Sequence, residues 1–64
     1  MKYTATAKVH MAHAAQAMDE ATKSLKLALV DVTDEFEHAV LTFLTSTNQA
    51  NAEYCRATAE GSDA

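Results

Sequence analysis

The sequence contains no proline and a single glycine, Gly61. These two residue types mark most tight turns and strand boundaries, so a sheet protein is hard to build without glycine before residue 61. Alanine supplies 14 of the 64 residues, and most of the others are good helix formers. The eight threonines are the main contrary feature, because β-branched side chains lose rotamer freedom in a helix. We therefore predict an all-α fold.

The sequence also lacks a second cysteine, a long apolar run and an excess of basic residues. Cys55 alone cannot form an internal disulfide, which fits a reducing compartment. No apolar run approaches the roughly 18 residues of a membrane span, and residues 1–6 lack the apolar core of a signal peptide. Five basic against nine acidic residues, a net charge of −4, disfavour binding to nucleic-acid phosphates or anionic membranes. We expect a cytoplasmic protein that binds neither nucleic acid nor membrane directly.

The chain is short, and its 64 residues are expected to form a single helical domain over residues 1–64. A core of this size stabilises a fold by only about 3–5 kcal/mol, unless disulfides, metals or oligomerisation add to it. Because one cysteine cannot form an internal disulfide, self-association as a homodimer is the leading expectation. An enzyme is not expected, since so small a helical assembly encloses little volume from which water is excluded. No cofactor is expected.

Apolar residues recur every seven positions in two sets that are offset by four, the pattern of a coiled-coil seam. The repeat predicts a long helix over residues 4–44, capped by Thr4 or Thr6. Phe36 and Phe43 continue the repeat but are bulky for a two-stranded coil, so a homodimeric four-helix bundle fits better. Asp19 and Lys23, four residues apart, predict an ion pair along this helix. The predicted dimer seam comprises Met11, Ala15, Met18, Thr22, Leu25, Leu29, Val32 and Ala39.

Two places could end the long helix. Capping residues at 45–48 predict a short second helix over residues 49–60, ended by Gly61, with a frayed tail at 61–64. Alternatively, the helix breaks at 30–34, where Lys23 and Lys26 precede the break and acidic residues follow it. That break would give a hairpin of two nearly equal helices. The unbroken seven-residue repeat favours the late break, and one continuous rod is a third possibility. The sequence does not determine whether the dimer is parallel or antiparallel.

The densest charge feature is a run of four acidic residues within seven positions, with no base among them. Such a run is usually a solvated helix start, but it can also steer a basic protein surface into place. We therefore hypothesise a small acidic protein that binds and inhibits another protein, such as a DNA-binding regulator, through an amphipathic helix face. A purely structural assembly module is an alternative. The predicted partner-binding residues are Asp31, Asp34, Glu35, Glu37, Phe36, Val40, Phe43 and Leu44.

A metal-binding helical oligomer is the other alternative. Glu35 and His38 are three residues apart, the spacing with which bundle helices offer ligands to paired metal ions, and Glu20 or Glu37 could add a carboxylate. The pattern is short enough to occur by chance, so no metal site is predicted. His10 and His13 are interpreted as a solvated polar edge, and Cys55 as a half-buried structural cysteine.

Overall fold

Two α-helices make up the chain between residues 3 and 61, the part that the computed structural model describes. Helix α1 spans Ala5–Asp31 and helix α2 spans Glu35–Ala59. They lie side by side and antiparallel, in a body of 44 × 17 × 11 Å. The predicted all-α fold is therefore confirmed, in its hairpin form. Neither helix is both long enough and apolar enough to cross a membrane.

Helix α1 begins at a capping threonine. The backbone N–H of Ala7 donates to Oγ1 of Thr4 at 3.1 Å. Of the two predicted candidates, Thr4 and Thr6, Thr4 is therefore the N-cap. This bond satisfies one of the four N–H groups that have no partner within the first turn of a helix. The helix ends at Asp31, where Val32 takes an extended conformation with φ −93° and ψ 125°.

Helix α2 begins at Glu35, directly after its N-cap Asp34. Oδ2 of Asp34 accepts the backbone N–H of Glu37 at 2.9 Å. Glu35 and Glu37 lie in the first turn, where the positive end of the helix dipole favours negative charge. At the other end, Gly61 has φ 90° and its N–H donates to the carbonyl of Thr58, which confirms Gly61 as the helix stop. Residues 62–64 of the predicted frayed tail lie outside the described residues.

The break between the helices falls at residues 32–34, so the predicted helix over 4–44 is interrupted and the separate helix over 49–60 does not occur. Residues 45–48 continue α2 without a break. Oγ1 of Thr45 donates to the carbonyl of Leu41 at 2.8 Å, so the hydroxyl is satisfied inside the helix and caps nothing. Asn48 is half-buried on the same face. Thr45 and Asn48 therefore line the contact between the helices, whereas Ser46 and Thr47 are exposed.

The helices meet along one stripe on each. The α1 part of the predicted seam is shielded, and the element packed against it is α2 of the same chain. Beyond the turn the shielded positions of α2 fall two residues later than the repeat predicts, so Ala39 is exposed. A three-residue turn reverses the chain and need not preserve helical phase. The shielded positions along these stripes are Met11, Ala15, Met18, Thr22, Leu25 and Leu29 on α1, Val32 in the turn, and Leu41, Thr45, Asn48, Ala52, Cys55, Thr58 and Ala59 on α2.

Small side chains form the centre of this contact. Ala15 and Ala52 are the buried apolar residues of the described chain, and no large side chain within it is fully buried. Three threonines are buried as well, and one of them, Thr22, donates its hydroxyl to the carbonyl of Met18 at 2.8 Å. Such intrahelical bonds allow threonine to be buried without an unsatisfied hydroxyl. The hairpin therefore buries little apolar surface for its length.

Candidate protein-binding surface

The four acidic residues of the predicted site lie at the turn end of the hairpin, and all four are exposed. Asp31 ends α1, whereas Asp34, Glu35 and Glu37 begin α2. Asp34 has a defined structural role as the α2 N-cap. The other three carboxylates project negative charge from one end of a molecule 44 Å long.

The four apolar residues of the predicted site are also exposed, on the outer surface of the first three turns of α2. Phe36 is 76% exposed and Phe43 68%, while Val40 and Leu44 are 40% and 44% exposed. Their spacing of four, three and one places them along one side of the helix. The structure thus brings all eight predicted partner-binding residues to one end of the molecule. Phe36 and Phe43, which also continue the predicted repeat, do not contribute to the intrachain seam.

An open depression of about 320 Å³ lies beside this stripe. It is lined by the apolar side chains of Val32, Phe36, Val40 and Leu41, with the acidic Glu37 at its border. Sequence reasoning did not predict the depression, because the turn that brings Val32 next to α2 was not the favoured break. A depression of this kind suits an apolar side chain with a basic neighbour.

The two long sides of the hairpin differ in character. On each helix, a residue that directly follows a shielded residue lies on one long side of the hairpin, and a residue that directly precedes a shielded residue lies on the opposite long side. Half of the residues that follow a shielded residue are charged, and we name their side the polar side. The polar side comprises Ala12, Gln16, Asp19, Lys23, Lys26, Val30, Thr42, Ser46, Gln49, Glu53, Arg56 and Glu60.

The opposite side, which we name the apolar side, has one charged residue, Asp31 at the turn. Its α1 half is mostly alanine, and its α2 half begins with Val40 and Leu44. Val32, Phe36 and Val40 line a depression together on this side, which supports the assignment. The apolar side comprises His10, Ala14, Ala17, Ala21, Ser24, Ala28, Asp31, Val40, Leu44, Thr47, Asn51 and Tyr54.

A cross-helix ion pair lies on the polar side. Nη2 of Arg56 donates to Oδ2 of Asp19 at 2.5 Å, and both side chains are nearly half exposed. The predicted pair between Asp19 and Lys23 is wrong, since Lys23 pairs instead with Glu20 at 3.5 Å. The sequence alone could not show that Arg56, 37 residues away, faces Asp19. An open depression of about 260 Å³ borders the pair.

The residues considered for a metal site remain apart. Within residues 3–61, no group of three His, Cys, Asp or Glu side chains is close enough to hold a metal ion. Glu35 and His38 are exposed near the turn, while Glu20 pairs with Lys23 further along α1. Among the described residues, no third ligand therefore lies close enough to Glu35 and His38 to complete a metal site.

Two tyrosines join the helices at the open end of the hairpin. The phenol oxygens of Tyr3 and Tyr54 are 2.6 Å apart, and either can be the donor. This hydrogen bond raises the pKa of Tyr3 above its ordinary value of 10.0, because it favours the neutral phenol. Cys55 is a free thiol, half-buried on the contact face of α2.

Comparison with known proteins assigns no family to the chain. No protein-family model matches it, and no curated protein or solved structure matches it either. A functional assignment therefore depends on the geometry and charge of the chain's own residues.

Proposed function

We propose that this chain acts by binding another protein through the turn end of the hairpin. The observation that supports this function is the juxtaposition of four exposed apolar side chains with a cluster of acidic ones. A single exposed apolar residue is ordinary, whereas a contiguous apolar patch with a polar rim is typical of an interaction site. The docking surface comprises Asp31, Asp34, Glu35, Glu37, Phe36, Val40, Phe43 and Leu44.

The apolar residues of the docking surface supply the binding free energy. Burying an exposed phenylalanine side chain contributes about 1.5–3 kcal/mol, and aromatic residues are frequent hot spots at interfaces. Phe36 and Phe43 are the two most exposed side chains of this stripe. Because α2 holds them on a rigid helix, they lose little backbone freedom on binding.

The acidic residues define the partner's chemistry. Clustered carboxylates attract a basic surface and increase its association rate, an effect that weakens as salt rises. The partner is accordingly a protein with an apolar groove flanked by lysine or arginine. When that basic surface is the one with which a regulator contacts DNA, binding by this chain inhibits the regulator by covering it.

The test is affinity capture from a lysate of the cells that make the protein, with matched variants. We expect the wild type to retain a basic protein at low salt and to release it as salt rises. Phe36→Ser with Phe43→Ser should lose that protein, whereas Leu27→Ser should retain it. Leu27 is a suitable control because it is 71% exposed but lies on α1, outside the docking surface. Equal capture by all three forms, or none by the wild type, would contradict the function and leave a purely structural module.

The homodimer predicted from the repeat is also part of the proposal, but it needs a different surface. The α1 residues of the predicted seam are shielded by α2 of the same chain. A second copy must therefore pack against an outer surface of the hairpin.

A further inference from the structure

The open end of the hairpin is held by noncovalent contacts. The turn at residues 32–34 links the helices at one end, whereas no segment of the chain links residue 3 to α2 at the other. The contact between the helices consists largely of small side chains, and no large one is fully buried among the described residues. Small domains with so little core often add a covalent staple such as a disulfide. Cys55 is the single cysteine of the chain, so an internal disulfide cannot supply one.

Two phenols meet at this open end. The hydroxyl oxygens of Tyr3 and Tyr54 are 2.6 Å apart, although 51 positions separate the two residues in the sequence. They are the two tyrosines of the whole chain. Tyr54 is 58% exposed and Tyr3 is half-buried, so a reagent in solution can reach both rings. The contact therefore places all the phenols of the chain at one accessible point.

Adjacent phenols couple when a one-electron oxidant such as a peroxidase acts on both. Each phenol loses one electron and one proton, and the unpaired electron of the resulting radical is shared with the ring carbons ortho to the oxygen. A carbon–carbon bond then forms between one ortho carbon of each ring, and the hydrogens on those two carbons move to the oxygens. Hydrogen peroxide takes up the two electrons and two protons and becomes two molecules of water. The product, dityrosine, has two hydrogen atoms fewer than the two tyrosines.

The geometry favours coupling within one chain over coupling between chains. Each ortho carbon is two bonds from its phenol oxygen, and the two oxygens are already in contact. Small rotations of the two side chains therefore bring the ortho carbons together. Groups held in contact react at an effective concentration far above the micromolar concentration of separate chains.

We propose that Tyr3 and Tyr54 form an oxidative cross-linking site, at which a peroxidase with hydrogen peroxide joins the two side chains as dityrosine. The cross-link closes the open end of the hairpin covalently and serves as the staple that a single cysteine cannot provide. The docking surface lies at the opposite end of a molecule 44 Å long. The inference therefore does not depend on the proposed partner protein, and either can fail without the other.

The test moves one phenol without changing the number of tyrosines. Thr47 is exposed and lies seven residues before Tyr54, on the same face of α2 and about 10 Å away along the helix. Thr47→Tyr combined with Tyr54→Phe therefore keeps two tyrosines but separates them. Tyr54→Phe alone leaves one tyrosine, which can couple only to another chain. Cys55→Ala removes a thiol that is itself oxidised and can return a tyrosyl radical to the phenol.

Dityrosine fluorescence, denaturing electrophoresis and intact mass give the readout, after treatment of each full chain with peroxidase and hydrogen peroxide at low micromolar concentration. We expect the wild type and Cys55→Ala to yield a fluorescent product of single-chain mass, lighter by two hydrogen atoms. The variant with Thr47→Tyr and Tyr54→Phe should yield at least tenfold less of it while keeping its helicity by circular dichroism. Equal single-chain yield from that variant would overturn the inference. A wild type that forms no dityrosine, or forms it mainly between chains, would overturn it as well.

Urea unfolding of the cross-linked wild type tests the effect of the staple. The midpoint of unfolding should rise relative to the untreated chain, because a link between residues 3 and 54 restricts the unfolded chain as a disulfide does. An unchanged midpoint would contradict the role of the cross-link as a staple.

Discussion

Asp34 and Asp31 belong to the same acidic cluster, but replacing each by alanine should change the free energy of unfolding differently. Asp34 is the N-cap of α2, and its carboxylate accepts the Glu37 N–H at 2.9 Å. Replacing an N-cap aspartate by alanine costs about 0.5–2 kcal/mol, so Asp34→Ala should lower the free energy of unfolding by about 1 kcal/mol. Asp31 ends α1, where the negative end of the helix dipole disfavours its charge. Asp31→Ala should therefore be neutral or stabilise the hairpin by about 0.3–1 kcal/mol.

Urea unfolding followed by circular dichroism at 222 nm measures both effects. All variants need the same chain concentration, because the proposed self-association would make stability depend on concentration. The comparison controls for net charge, since each variant removes one carboxylate from the turn end. A loss of stability in Asp31→Ala equal to that in Asp34→Ala would refute the assignment of opposite roles. Unchanged stability in Asp34→Ala would show that the capping bond contributes nothing.

Two further predictions concern the helix contact and the open end. Ala52→Leu should lower the free energy of unfolding by about 1–3 kcal/mol, because Ala52 is 2% exposed between the helices and a larger side chain would force them apart. The exposed Ala50→Leu should change it by less than about 0.5 kcal/mol, and equal effects in urea unfolding would argue against close packing at Ala52. Tyr54→Phe should lower the pKa of Tyr3 toward 10.0, because the hydrogen bond that raises it is lost. Absorbance titration of the phenolate measures this shift, and an unchanged pKa would contradict the Tyr3–Tyr54 contact.

The docking surface and the apolar side overlap at Asp31, Val40 and Leu44, and Phe36 lines a depression with Val40 on the apolar side. Phe43 is 68% exposed and belongs to the docking surface alone. Phe43→Ser is therefore the variant that tests partner binding without altering the apolar side.

Features that depend on neighbouring residues could be predicted from the sequence. The scarcity of glycine and proline indicated helices, and the end signals at Thr4 and Gly61 are local hydrogen-bond and backbone preferences. The acidic and apolar residues of the docking surface lie within residues 31–44, so their proximity follows from their closeness in the sequence. The repeat on α1 correctly marked the shielded face of that helix, although it did not show which helix covers it.

Only the tertiary structure decided where the chain reverses and which face of α2 turns inward. A seven-residue repeat can continue in the sequence across a turn without continuing in the structure. The turn at residues 32–34 leaves the rotation of α2 about its axis undetermined, and packing of its small residues against α1 fixes that rotation. That rotation places Ala52 inside and Phe36 outside, and it brings Arg56 to Asp19. The same rotation of α2 determines which of its residues lie on the polar side and which lie on the apolar side. Local sequence determines that a helix forms, whereas packing between distant segments determines which way it faces.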